Sequence, residues 1–212
     1  MITLVGKTTS TNNSFKIGTI EDVVEYCSTC KVLGVDTETE GFDFTCKKMI
    51  MFQIGDEHQQ FVVDTRFVSI EPLRNILENK DIIKIFHNAK FDYKFIKRWA
   101  NIDVYGVERI INCGKNIRYG LGHLCERYLN VKLNKEIRNQ FVGLTGQPFR
   151  DDQIVYGAKD VEYLVQIREK QLPQIKKFQL EEVVNLENEA VLAFSDIEYN
   201  GLDIDKDKWE VI

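Results

Sequence analysis

Apolar and polar positions in the first half of the chain fall into short blocks. Runs at 31–37 (KVLGVDT), 48–55 (KMIMFQIG), 60–64 (QFVVD) and 81–86 (DIIKIF) predict β-strands, with a further one at 102–105. The first three follow one another across turn-like stretches, which predicts a meander of paired antiparallel strands. Apolar positions three to four apart predict helices at 19–30, 69–79, 88–99, 107–116, 119–129, 151–171 and 179–199. After the meander, strands and helices alternate. The pattern predicts an α/β fold: a mixed sheet with an antiparallel three-strand meander and helices packed on its faces.

The last helix reads as a separate unit. Leu180, Val183, Val184, Ala190, Val191, Phe194 and Ile197 recur at helical spacing, and Gly201 is positioned to end the helix. The segment LDIDKDKWEVI then starts another element. Residues 1–178 are expected to form one domain, and 179–212 a C-terminal helix with the start of a connector. Phe194 and Trp209 would face a further domain, or the helix would pack on its own domain.

Chemistry enters at the strand ends. In VLGVDTETEG (32–41), Asp36 and Glu38 are two apart at the end of an apolar strand. Strand alternation places both carboxylates on one face. Like charges side by side repel, and a hard divalent cation relieves that repulsion. The same DTETE stretch before Gly41 also suits an acidic turn. In KIFHNAKFD (84–92), Asn88 is a good helix N-cap, and Asp92 lies one turn further on the same face. A first-turn carboxylate gains from the helix dipole, or the strand end aims Asn88 and Asp92 at the Asp36 site. In YGAKDVEYL (156–164), Tyr156 and Asp160 are four apart on one helix face.

Taken in order, D-x-E on a strand, N-x-x-x-D at a strand-to-helix junction and Y-x-x-x-D on a late helix resemble the DEDD superfamily of 3′–5′ exonucleases, in its tyrosine-bearing subgroup. The linking segment, with HLCERYL, is similar to both family A DNA polymerase proofreading domains and ribonuclease D. The resemblance implies a ribonuclease H-like fold. It also implies two divalent ions, Mg²⁺ or Mn²⁺, held by Asp36, Glu38, Asp92 and Asp160, with Tyr156 orienting the nucleophilic water. Asp36 would touch both ions. Thr39, Phe42, His87, Asn88, Lys90 and Arg118 match positions near the substrate, Phe42 as a wedge against the terminal bases. HNAKFD and the tail LENEAVLAFSDIEYNGLDID are similar to polymerase sequences. The expectation is therefore a proofreading domain acting on single-stranded or frayed DNA 3′ ends, with a polymerase domain in the same chain or a separate one. A ribonuclease D-like exoribonuclease is the alternative, and a non-catalytic nucleic-acid-binding module is a third reading.

Composition narrows the setting. The 212 residues carry a net charge of −5, which argues against a general nucleic-acid coat and leaves room for a local basic groove. Basic residues cluster at 84–98 and 132–140. Five cysteines, with a lone C-x-x-C at 27–30, read as free thiols of a reducing cytoplasm. No apolar run is long enough for a membrane span. VGKTT (5–9) ends like a phosphate loop, but the position of its first glycine is Met1.

Overall fold

In the computed structural model, residues 1–8, 14–96, 102–133, 137–144 and 146–210 are described. Residues 97–99 of the predicted fourth-strand-following helix and 134–136 of the basic run lie outside them. The strands are β1 (Ile2–Val5), β2 (Lys16–Ile17), β3 (Val32–Thr39), β4 (Met49–Gly55), β5 (Gln60–Asp64), β6 (Ile83–Phe86) and β7 (Ile102–Asp103). They form one sheet in the order β2-β1-β5-β4-β3-β6-β7. The expected meander is present, since β3 pairs antiparallel with β4 and β4 with β5. All other pairings are parallel.

The sequence pattern left out β1 and β2. β1 is only four residues, Ile-Thr-Leu-Val, too short for its period to be read, and its strand character comes from pairing in register with β5, Ile2 opposite Gln60 through Val5 opposite Val63.

Among the described residues the α-helices are α1 (Ile20–Thr29), α2 (Arg74–Leu77), α3 (Ala89–Ile96), α4 (Val104–Ile111), α5 (Leu121–Leu129), α6 (Asp151–Lys177), α7 (Glu181–Asn200) and α8 (Lys206–Trp209). Thr19 and Asp22 form a capping box at the start of α1. The predicted helix at 69–79 is a 3₁₀ turn over Glu71–Leu73 followed by the single turn of α2. α6 runs past Pro173 to Lys177, six residues beyond its predicted end. Buried Gln171 and Ile175 flank the proline, so packing overrides its local preference.

Two apolar layers cover the sheet. Val35, Phe52, Ile54 and Phe61 pack with residues of α1, α2 and α3 on one face. Ile50, Met51 and Val62 pack with Ile154 and Ala158 of α6 on the other. Beyond the sheet edge, α4, α5 and α6 meet around Glu108, which is fully buried. Its carboxylate accepts from Arg127, from Tyr128 Oη at 2.7 Å and from Gln171 Nε2 at 3.0 Å. These donors satisfy the buried charge that the location would otherwise penalise.

α7 returns onto the body, with Val184 buried beside Val107 and Ile175 and Val191 packed on the core under α3. Its inward line is Val184, Val191 and fully buried Ser195, whereas Phe194 and Ile197 point outward. This corrects the predicted stripe: both lines share helical spacing, and the small Ser195 permits the close approach. Gly201 ends the helix at φ 69°, its N–H donating to Ile197. Among the described residues, no helix is long and apolar enough to cross a membrane.

Candidate active site

β3 sits between antiparallel β4 and parallel β6, so its C-terminal end opens beside that of β6. Crevices outside such strand ends are the usual ligand sites of open α/β sheets. Gly34, Asp36 and Glu38 alternate onto the face covered by α6. A Cβ at Gly34 would lie 2.5 Å from the Val161 carbonyl oxygen, and one at Gly157 would lie 2.8 Å from Gln53 Nε2. Two glycines on facing surfaces therefore let α6 lie directly on β3 and β4. That approach carries Asp160 and Tyr156 to the two strand carboxylates.

Ligand oxygens of Asp36, Glu38 and Asp160 all lie within 4.8 Å of one another. A register shift in the β3–β4 pairing follows directly after Glu38. Such irregularities re-aim side chains at strand ends. Thr37 alternates to the opposite face, where its hydroxyl donates to Asp92 Oδ1 at 2.6 Å. Asp92 thus stands at the other side of the cleft, one turn into α3, buried and anchored to β3 through Thr37.

Burial dominates the electrostatics. It pushes the Asp36 carboxyl up to about 6, against the pull of Arg138 and the Thr37 amide. Glu38 is raised well above the usual carboxylate range by burial and then by the charges of Asp36 and Asp160. Asp160 is raised by burial and by Asp36, and a hydrogen bond from Tyr156 offsets part of this. Burial beside the same carboxylates raises Tyr156 as well, so it stays a protonated phenol. Its ring stands 6.1 Å from that of buried Phe141.

The cleft brings Asp36, Glu38, Asp92, Tyr156 and Asp160 together with His87 and Asn88. His87 Nε2 lies 3.0 Å from the Tyr119 carbonyl. Asn88 precedes α3 but at φ 68°, not in the extended conformation of an N-cap. The helix starts where Asn88 was expected to cap it; Asn tolerates the left-handed region, and the sharp turn sends α3 back across the strand end. Phe42 is exposed on the β3–β4 connection with its ring 6.2 Å from Phe91, which lines the cleft. The Thr39 hydroxyl donates to the Gly41 carbonyl. Lys90 is paired at the surface with Glu198 of α7, 2.6 Å away. Arg118 is exposed before α5, and its carbonyl accepts from Arg127.

Among the described residues lining the cleft is the cation Arg138, on a 3₁₀ turn over Arg138–Gln140. Withdrawal from water works against its charge, but Glu38, Asp36, Tyr156 and Asp160 outweigh it and raise its pKa. The sequence signal for it was the basic run at 132–140, which did not single out one residue.

Comparison with known proteins decides the family. The 3′–5′ exonuclease family model matches residues 14–176. The chain belongs to this 3′–5′ exonuclease family. Among curated relatives, ribonuclease D of Sphingobium indicum is 27% identical over 154 residues, 68% of this chain and 39% of the relative. The chain thus spans less than half the length of that relative. Among solved structures, Escherichia coli RNase D superposes with a TM-score of 0.74 at 19% identity, covering 90% of this chain and 51% of that one. Brucella melitensis NrnC with bound Mg²⁺ gives 0.72 at 18% identity, covering 84% and 90%. These neighbours bear out the ribonuclease H-like α/β fold.

The curated relatives give the polymerase context no support. They carry the names ribonuclease D and exosome exonuclease. HNAKFD lies inside the matched exonuclease segment, whereas the tail at 186–205 lies beyond it.

The exonuclease site also suits the divalent cations its family uses. Its donors are all carboxylate oxygens, the preference of hard ions. Asp160 Oδ1 is buried without a hydrogen-bond partner. A buried polar atom left so is costly unless a cation or water meets it.

Proposed function

We propose that this chain is a metal-dependent 3′–5′ exoribonuclease that releases nucleoside 5′-monophosphates from single-stranded 3′ ends. The observation that carries the chemistry is the convergence of Asp36, Glu38 and Asp160 within 4.8 Å at the end of β3. Similarity to ribonuclease D supports RNA as the substrate.

Asp36, Glu38 and Asp160 would hold one Mg²⁺ or Mn²⁺ ion, and Asp92 with Asp36 a second. Held there, the ions would supply polarisation of the scissile phosphate and a water competent as nucleophile at neutral pH. The chain's own groups do the rest. The protonated Tyr156 hydroxyl, fixed by its packing on Phe141, orients the attacking water. Arg138 offsets phosphate charge at the cleft mouth. Water oxygen bonds to the phosphorus of the terminal nucleotide, the bond to the preceding 3′ oxygen breaks, and that oxygen takes a proton. Phe42, exposed beside Phe91, offers a sequence-blind surface for a terminal base.

The test digests end-labelled single-stranded RNA and DNA of one sequence with Mg²⁺ or Mn²⁺. RNA should shorten from its 3′ end faster than DNA, releasing nucleoside 5′-monophosphates. Faster DNA digestion, with preference for mismatched ends, would restore the proofreading reading. Binding with no cleavage of either polymer would leave a nucleic-acid-binding module.

Tyr156→Phe separates positioning from packing. The ring is kept, so stability should change little, while kcat falls about 10–100-fold with KM nearly unchanged. Steady-state kinetics check this, and a wild-type kcat would remove the hydroxyl from the mechanism.

A further inference from the structure

A second hollow, of about 460 Å³, opens beside the cleft between the β3–β4 connection, α3 and α7. Phe44, Lys47, Lys48, Lys94, Phe95 and Tyr199 are among the residues lining it, and no carboxylate is among the described lining residues. That local charge opposes the net −5 of the chain. Lys94 is partly offset by Glu198, 2.8 Å away, whereas the side chains of Lys47 and Lys48 are largely exposed to water.

Aromatic rings connect the two places. Phe42 meets Phe91 at 6.2 Å, and Phe91 meets Phe95 at 5.1 Å between ring centroids. Phe91 lines the cleft and Phe95 lines the hollow. They are one turn apart on α3, a rise of about 6 Å. Within the hollow, Phe44 stands 5.3 Å from Tyr199, and the Lys94 ammonium lies 5.4 Å from the Phe44 ring centre. The connection bearing Phe44, Lys47 and Lys48 is held in shape. The Lys47 amide donates to the Asp43 carbonyl at 2.8 Å, and the Asp43 carboxylate accepts from Thr45.

We propose that this basic, aromatic-lined hollow is a second binding site for the same single strand, taking nucleotides on the 5′ side of the end held in the cleft. The proposal rests on the exonuclease reading for its polarity. Stacking platforms interleaved with cations that follow the phosphates are the chemistry of single-strand binding without sequence preference. One aromatic platform is commonly worth from about 5-fold to over about 100-fold in affinity. The ring series is continuous with the cleft, which favours one strand crossing both over an unrelated acidic partner.

The test measures fluorescence anisotropy of 5′-labelled single-stranded RNAs of two, four and eight nucleotides in EDTA. Hydrolysis of the dinucleotide is followed separately in Mn²⁺. The wild-type protein should bind the eight-mer at least about tenfold more tightly than the dinucleotide. Lys47→Glu/Lys48→Glu should lose most of that gain, and its binding should depend less on salt, with a log–log slope smaller by about 1.4 for two lost phosphate contacts. Phe44→Ala should lose part of the gain. Lys176→Glu/Lys177→Glu, the same charge change at the end of α6, should keep it. Dinucleotide turnover should match wild type in all three. Affinity independent of length, or equal length dependence in wild type and Lys47→Glu/Lys48→Glu, overturns the second site. Hydrolysis of no substrate would instead overturn the exonuclease reading, and the binding measurements would still decide the hollow.

Discussion

Asp36→Ala should abolish hydrolysis, lowering kcat by at least about 10³-fold, and at the same time raise the melting temperature in EDTA. Both effects have one origin. Asp36 stands with Glu38 and Asp160 in a buried cluster of like charges, the arrangement needed to hold a cation. Without a cation the cluster is destabilising. The Asp36 carboxyl is pushed from 3.8 up to about 6 by burial. The folded chain therefore binds its proton more tightly than the unfolded chain. Stability from this group is greatest below pH 4 and is lost as pH rises through about 6. At pH 7 the cost is on the order of 3 kcal/mol, and each kcal/mol moves the midpoint of a domain this size by about 2–4 °C. The melting difference between wild type and Asp36→Ala should thus be small at pH 4.5 and open by pH 7.5. Adding Mg²⁺ or Mn²⁺ should stabilise the wild type and have less effect on the variant. Thermal melts at both pH values, with digestion assays alongside, check the result. Retention of most activity would sink the role of Asp36, and a pH-independent melting difference would sink the electrostatic account.

Gly34→Ala should be both destabilising and inactivating, although Gly34 touches no substrate. Its Cβ would lie 2.5 Å from the Val161 carbonyl oxygen and 3.1 Å from Val161 Cγ1. The first obstacle is helix backbone, so α6 as a whole must move. Overpacking of this kind costs about 1–3 kcal/mol. Asp160 immediately precedes Val161, so the displacement reaches the carboxylate cluster directly. A misplacement near 1 Å lowers rates by about 10². Gly157→Ala provides the contrast. There the new methyl meets Gln53 Nε2 at 2.8 Å and Met51 Sδ at 2.9 Å, ends of flexible side chains that can turn aside. It should cost less in both stability and rate. Unchanged melting and kcat in Gly34→Ala would show that the close approach of α6 is dispensable.

Features that follow from local period were legible before folding. The strand repeat of two put Asp36 and Glu38 on one face, and the helical repeat put Tyr156 one turn before Asp160. The antiparallel meander followed from three apolar runs separated by turns. The order of these motifs was enough to indicate a family of exonucleases. Their neighbours were not determined in the same way. The resemblance placed Lys90 near the substrate, and the fold pairs it with Glu198 on α7, more than a hundred positions away. The resemblance pointed to Arg118, and the basic run at 132–140 did not single out Arg138; among the described residues it is Arg138, not Arg118, that lines the cleft. Local period put Val184, Val191, Phe194 and Ile197 of α7 in one stripe, and close packing turned inward the line with Val184, Val191 and Ser195. It gave no sign of β1, whose short run becomes a strand because β5 pairs with it. Period constrains which side chains share a face. Which faces meet is decided by close approach, charge pairing and burial between residues far apart in the chain, and these exist only once the chain has folded.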